Sequence, residues 1–438
     1  MLASLLAVSV PIIITNLLQT AYQMTDTFWV GRLGSEAVAA VSLTFPVLFF
    51  AFSLGIGLSI AATVLIAHAW GRGDREAADR IATQSIVTMI VVSLALLVLG
   101  SLFAERIMMA IGAEGEVLRL ATEYLRISFL GVPFLFVFAV YQSIVRGIGE
   151  VRAPLIIVFV TVLLNLVLDP LFIYGWGVFP ELGVAGAAMA SVVTQGLSAC
   201  IGFVLLARSS SLVRIRTRYL PIALDVQRKM FSLGIPSSID VGLRSFSLLI
   251  MAFIVARFST PIIAAYGIGQ NVLSFVVIPA LGLSIAVSAM VGQNAGANRF
   301  DRVQESVRIA SILGFVSLSI IGGFVVLFAP FIIGFFVPGD PLVLELGSSF
   351  LRIMGFTFGL IGIHLVISGA LRGVGRPRAS LWISAISLFV IKIPLAWFLS
   401  QSGLLETGIW IAVAVANVAG ALIAVAWIAR TRLNDALL

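Results

Sequence analysis

Nine stretches of the chain run for 19 residues or more without an Asp, Glu, Lys or Arg: 1–25, 37–71, 81–104, 127–145, 182–207, 258–298, 309–339, 353–371 and 407–429. A helix that crosses the hydrocarbon of a bilayer needs about 20 apolar residues. Three further apolar stretches are interrupted by charge: 153–174 by Asp169, 230–256 by Asp240 and Arg244, and 378–400 by Lys392. The pattern predicts an all-α membrane protein with twelve transmembrane helices, of which those around 37–71 and 263–296 are long enough to project beyond the bilayer. Barrel strands are excluded, because the runs far exceed about 10 residues and do not alternate. No basic leader with a cleavage site precedes the first helix, which is therefore expected to be retained.

Composition narrows the function classes. Only 11% of the 438 residues are charged, against about a quarter in a soluble domain. A single cysteine, Cys200, excludes a disulfide framework, and His68 and His364 are too far apart to suggest a His-rich metal site. No GxxxxGK[ST] loop occurs, and no soluble stretch could hold a nucleotide-binding domain, so the chain is not expected to be an ATP-driven enzyme.

The basic residues orient the helices. With the N-terminus inside, 19 of the 27 Lys and Arg fall in the even-numbered loops, the segment 208–229 among them, and the C-terminal tail with Arg430 and Arg432. Six fall on the opposite side: Arg32, Arg106, Arg119, Arg126, Arg257 and Arg352. The excess marks the cytoplasmic face, so both termini are expected inside. The net charge of +7 is then a consequence of topology, and no nucleic-acid partner is implied.

The chain is written twice. Gly57-Leu-Ser-Ile-Ala61 recurs as Gly282-Leu-Ser-Ile-Ala286, and Pro11 matches Pro236, at an offset of 225. Tyr124-Leu-Arg-Ile127 recurs as Phe350-Leu-Arg-Ile353, and Arg146-Gly-Ile-Gly149 as Arg372-Gly-Val-Gly375, at an offset of 226. A near-constant offset along a whole half marks duplication. Each half holds six spans, so the two are parallel six-helix repeats, a transporter architecture. The expected division is an N-lobe over 1–207, a cytoplasmic linker over 208–227 and a C-lobe over 228–438.

Ionisable groups inside a membrane are costly and mark function. Asp26 falls roughly 6 Å, and Asp169 roughly 9 Å, below the outer ends of the first and fifth spans at the helical rise. Asn165 shares a face with Asp169, and Ser191 falls roughly 12 Å down the sixth span. Carboxylates, amide and hydroxyl at similar depth suit a hard cation such as sodium, and two close carboxylates suit proton carriage. Asp240 and Arg244 can pair at i,i+4 as a neutralised couple or a gating contact. Lys392 is expected to snorkel to the outer surface or to act as a fixed countercharge in the C-lobe. The Gly147/Gly149 and Gly373/Gly375 pairs are expected to form tight cytoplasmic turns, and both histidines to be structural.

These residues carry a resemblance. Gln19-x-x-Tyr22-x-x-x-Asp26, Arg146-Gly-x-Gly149, Asn165-x-x-x-Asp169-Pro170 and Gly183-Val-Ala-Gly-Ala-Ala-Met-Ala-Ser191 resemble the multidrug and toxic compound extrusion (MATE) family over essentially the full length. The resemblance implies a two-lobe antiporter that expels cationic amphipathic compounds against proton or sodium flow, with no cofactor. Its cation-coupling site falls on Asp26, Asn165, Asp169 and Ser191, which become metal ligands only if sodium is the coupling ion. Gln19, Tyr22 and Gln142 are the implied substrate-cavity residues. Where one branch carries a glutamate in the seventh span, this chain has Arg244, which favours the DNA-damage-inducible-protein-F-like prokaryotic branch. The implied setting is a prokaryotic plasma membrane, with the protein a functional monomer in the bilayer. The alternatives are a lipid-linked oligosaccharide flippase of the same broad superfamily and a passive channel.

Overall fold

The structure is a computed structural model that describes residues 1–176, 180–208 and 213–430. Arg432 and the positions 209–212 of the expected linker lie outside the described residues. All regular structure among the described residues is helical. Eleven segments are long and apolar enough to cross a membrane, and a bent pair makes the twelfth.

Two compact units form, one of residues 14–238 and one of residues 1–13 with 239–438. Both cuts fall inside helices, two residues after the duplicated Pro11 and Pro236, rather than in the segment 208–227.

The first unit holds most of α1 (Leu2–Gly31), then α2 (Ser35–Gly71), α3 (Arg75–Ile111), α4 (Gly115–Ile148), α5 (Arg152–Tyr174), α6 (Val184–Arg208) and the start of α7 (Leu224–Val255). Helix α4 packs on α2, α3 and α6, and α5 packs on α6. Leu58, Met89, Leu125, Phe136 and Ile144 form its core. The linker follows this unit because α3 supplies its hydrogen bonds. The buried Asp79 carboxylate accepts from Arg216 Nε at 2.6 Å and from the Arg214 backbone N–H at 2.8 Å. Gln84 donates to the Pro221 carbonyl at 2.8 Å and accepts from the Ala223 N–H at 3.0 Å. Outside the spans, the hydrogen bond between Tyr219 and Glu76 pushes the Tyr219 phenol above its ordinary value.

The second unit mirrors the first. It holds α8 (Thr260–Gly296), α9 (Phe300–Phe336), α10 (Pro341–Gly355), α11 (Phe358–Gly373), α12 (Pro377–Ala385), a π-helical segment (Ile386–Lys392), α13 (Ile393–Ser400) and α14 (Leu405–Arg430). Helices α10 and α11 meet at 51° and together form one span, and Pro377–Ser400 forms another. Helix α11 packs on α8, α9 and α14 around Phe350, Phe358 and Trp410.

The long helices include more than the two expected. Helices α2, α3, α8 and α9 all have 37 residues. Charges near both ends of α3 and near the start of α9 hide their length when only uncharged runs are counted. Helices α2 and α8 are central, each with 61% of its most apolar window buried, against 22% for α3 and 28% for α9. On α9, Leu327, Phe331 and Phe335 are each at least 75% exposed, as lipid-facing side chains are. Trp29, Tyr174 and Trp176 gather near the ends of α1 and α5, where aromatic side chains mark the membrane–water interface.

The repeated motifs are packing devices. A side chain at Gly57 would run into the backbone of Ser238, and one at Gly282 into Ile13; these partners are themselves 225 residues apart. Gly147 lies against Thr63 and Ile66, and Gly373 against Ser288 and Val291, again at matching offsets. The first glycine of each Arg-Gly-x-Gly pair is thus a helix-crossing position, which corrects the expectation of a turn. Only the second, Gly149 or Gly375, makes the turn, with φ of 90° and 83°. Each caps its helix by the same paired backbone bonds, Glu150 N–H to Val145 O and Arg376 N–H to Leu371 O, both at 2.8 Å.

Candidate functional site

The expected acidic cluster lies within the first unit, where α1, α5 and α6 contribute one layer. Small residues bring these helices together. Gly186 on α6 sits against the backbone of Phe172 and Ile173 on α5, an approach that any Cβ would block. This carries Ser191, on the following turns of α6, toward α1. In α5, Asn165 and Asp169 are one turn apart and fully buried, and Pro170 then removes an N–H from the helical ladder.

Asn165 Nδ2 donates to Asp169 Oδ1 at 2.9 Å. Ser191 Oγ donates to Asp26 Oδ2 at 3.3 Å and accepts from Tyr22 Oη at 2.7 Å. The Asp26 and Asp169 carboxyl groups lie within hydrogen-bonding reach of one another, and Asn165 is in reach of both. Asp26 Oδ1, Asp169 Oδ2 and Asn165 Oδ1 are buried with no hydrogen-bond donor. The layer therefore presents three unpaired oxygens from three side chains, enclosed by an apolar lobe. A group that supplies positive charge or a proton completes it.

The structure thus brings Asp26, Asn165, Asp169, Ser191 and Tyr22 together and sets Gln142 apart from them. Gln19 is exposed on α1. Gln142 accepts from Arg146 at 3.0 Å near the C-terminal end of α4, which faces the side of the membrane opposite to the end of α1 that carries Asp26. Two residues join the cluster that sequence reasoning passed over. Thr194 Oγ1 lies 3.3 Å from Tyr22 Oη, and its i+3 spacing from Ser191 was a usable signal. Tyr124, on α4, lies within electrostatic range of both carboxyl groups and packs beside Val30, Ile173 and Ala187, and nothing in its motif Tyr-Leu-Arg-Ile points there.

In the second unit Asp240 is 1% exposed, and Arg244 lies 3.6 Å from it. A second guanidinium, Arg372, lies 3.4 Å from the same carboxylate, and Ser380 donates to it at 3.0 Å. Lys392 does not snorkel: it is 7% exposed, because the π-helical segment turns it inward to Ser247, 3.4 Å away.

A MatE family profile matches residues 11–171 and 236–398, one match in each half. The chain belongs to the MatE family. This MatE chain is 30% identical over 410 residues to the probable multidrug resistance protein YoeA of Bacillus subtilis, covering 92% of the chain and 88% of that protein. It is 29% identical over 401 residues to a FAD transporter of Shewanella oneidensis, with 90% and 86% covered. A crystal structure of a MATE in complex with MaL6 superposes with a TM-score of 0.93 at 24% identity, over 99% of this chain and 96% of that one. The MatE chain is thus a multi-pass membrane transporter of a multidrug efflux family, not an enzyme, with the two-lobe fold of the family.

Proposed function

We propose that this chain is a secondary antiporter that exports cationic, amphipathic compounds in exchange for protons by alternating access, with Asp26 and Asp169 as the exchange site. The observation that carries the reading is the meeting of two carboxyl groups in a buried layer, each with one oxygen left without a donor. Adjacent carboxylates repel unless a proton or a cation lies between them. A proton arriving from outside neutralises the pair and releases a cationic cargo; its loss to the inside restores the negative charge that draws the next one. Cation and cargo need only favour opposite states for exchange to be coupled.

Asn165 and Ser191 hold the two carboxyl groups in register and, with them, offer the oxygen ligands that sodium coupling would use. One relative is named a FAD transporter, so membership of the family does not by itself set the charge of the cargo; the acidic pair favours a cation. A lipid-linked oligosaccharide flippase would need cationic side chains where this lobe has carboxyl groups, and a passive channel leaves the pair without a task. The same reading puts both termini in the cytoplasm of a prokaryotic cell, with the monomer as the working unit.

Purified protein in liposomes tests it with ethidium as cargo. A pH gradient in sodium-free buffer should drive uptake of the dye. Uptake that needs a sodium gradient would transfer the coupling to sodium, and uptake indifferent to both gradients would end the antiport reading.

A further inference from the structure

Within the unit of residues 239–438, three helical segments turn polar side chains toward one another. Helix α7 presents Asp240, Arg244 and Ser247, which lie on one face at i, i+4 and i+7. Helix α11 presents His364, Ser368 and Arg372 at the same four-residue spacing. The third is α12 with the π-helical segment, and it runs parallel to α7 in a register that the contacts define. Asp240 meets Ser380, Arg244 meets Ser384 at 3.1 Å, Phe246 stacks on Phe389 at 6.1 Å, and Ser247 meets Lys392. The offset thus grows from 140 to 145 along the seam, because the wider π turns take up extra residues. Such turns are rare and cluster at functional sites. Here the segment does one thing: it rotates Lys392 from the lipid side into the lobe.

The charges along this seam do not balance. Asp240 is the only carboxylate within ion-pair range of Arg244 or Arg372 among the described residues, and Lys392 has none. The seam therefore holds three cationic side chains and one carboxylate, which pairs with only two of them, in an interior where an uncompensated charge is costly. The hydrogen bonds are also incomplete. Ser368 Oγ and a ring nitrogen of His364, Nε2, are buried without partners. The His364 ring packs beside Ser387 of the π segment, against Gly420.

We propose that this seam is an anion-binding site in the C-lobe for a phosphate or carboxylate group carried on an aromatic or amphipathic molecule, with Lys392 as its principal charge, Arg244 as the second, and the stacked Phe246–Phe389 pair as the apolar wall. The site itself rests on the packing of one unit. Its use to hold the acidic group of a transported molecule rests on the antiporter reading, and would widen the cargo from cations to amphipathic acids and zwitterions. Arg372 is held by Asp240 and by Ser284 at 3.0 Å, so it fixes the seam rather than reaching a ligand. Arg244 keeps about a third of its side chain exposed, which leaves an approach open.

Phenyl phosphate is a suitable probe, with benzyl alcohol as the neutral control. Binding is measured by equilibrium dialysis on the purified full-length protein in a phosphate-free, uncharged detergent. Saturable binding of phenyl phosphate without binding of benzyl alcohol is expected. Lys392→Gln and Arg244→Gln should each weaken it about tenfold, the loss of one charge-assisted contact, and Lys392→Arg should retain most of it. Both neutral variants are compared at matched thermal stability, and Arg244→Gln carries the test alone if Lys392→Gln does not fold. Phosphatidylglycerol added to phosphatidylcholine nanodiscs separates the two sources of such an anion. Competition by phosphatidylglycerol assigns the site to a lipid headgroup, and its absence assigns it to a soluble cargo. No saturable binding between pH 6 and 9, or binding that both neutral variants leave intact, would overturn the site. Ethidium transport by the unmodified protein is read separately, so loss of the anion site and loss of the antiport reading are distinct results.

Discussion

Asp169→Asn isolates the charge of the exchange site from its shape. Asp169 is fully buried, and its Oδ1 accepts from Asn165 at 2.9 Å. An asparagine of nearly equal volume keeps that bond through its own oxygen and turns its amide toward the unpaired Asp26 Oδ1. The fold should therefore tolerate the change, with stability within about 1 kcal/mol of the unmodified protein or slightly above it, since desolvating a carboxylate is costly. Function should not tolerate it. At an effective dielectric constant of about 20, a unit charge about 4 Å from a carboxylate is held by about 4 kcal/mol, an upper bound of about a thousandfold in occupancy. Even a third of that is about tenfold, so gradient-driven ethidium transport should fall at least tenfold per folded molecule. The double variant Asp26→Asn/Asp169→Asn should fall little further, because groups that act as a unit lose their effect together. Glu36→Gln, at an exposed carboxylate, is the control. Asp169→Asn protein that pumps at the unmodified rate would refute the exchange site.

Asn165→Ala removes the donor to Asp169 and leaves both carboxyl groups, so transport should survive with a weaker apparent affinity for the coupling ion, by about tenfold or less, read as a shift in the ion-concentration curve. Tyr22→Phe loses the bonds of Oη to Ser191 and Thr194 and should cost about 1 kcal/mol in a detergent melting assay, with smaller effects on transport than Asp169→Asn. Gly57→Ala places a methyl group against the Ser238 backbone and should destabilise by about 1–3 kcal/mol, whereas Gly242→Ala, whose site is open, should be neutral or stabilising. Asp79→Ala strips the linker of its bonds from Arg214 and Arg216 and should speed tryptic cleavage after Arg214 or Arg216.

The sequence made the spans legible because membrane insertion is governed by long apolar runs, and it made the acidic layer legible because Asp26 and Asp169 are charges that the membrane would otherwise exclude. Spacing within a helix then brought in Asn165, one turn before Asp169. What it did not make legible is how side chains meet between helices. Tyr124 reaches the layer from α4 through packing that no motif encodes. Gln142 has the polarity expected of a cavity residue, but it sits toward the other membrane face and is taken up by Arg146. The choice between the two expectations for Lys392, snorkelling or a fixed charge inside the C-lobe, was not legible for a related reason. A regular helix would have left it free to reach the surface, and the π-helical segment that turns it inward depends on register against α7.

The duplication separates what the fold requires from what the chemistry requires. The glycines at helix crossings occur in both halves, and so do the backbone caps at Gly149 and Gly375, because each lobe must solve the same packing problem. The charged residues of the acidic layer and of the cationic seam, Arg372 apart, do not repeat. At the offset of 225 that holds in the first helices, Asp26 corresponds to Met251, Asp240 to Thr15 and Arg244 to Gln19. At the offset of 226 that holds later, Asp169 corresponds to Leu395 and Lys392 to Leu166. Arg146 and Arg372 are a retained pair, and each lies at the end of a helix beside a shared crossing glycine. A charge buried in a membrane costs energy at every position, so the shared backbone offers no reason to hold an acidic layer in one half and a predominantly cationic seam in the other. That division is most simply explained by different ligands. The carboxyl groups of the N-lobe suit a group that arrives positive, and the cationic seam of the C-lobe suits one that arrives negative. Moving the charges tests this directly: Met251→Asp in the C-lobe should not restore transport to Asp26→Asn, because Asn165, Ser191 and Asp169 have no counterparts of like chemistry around Met251, which lies fully buried in an apolar cluster. Recovery of ethidium transport in that double variant would mean that the lobes are interchangeable and that the split in charge has no bearing on cargo.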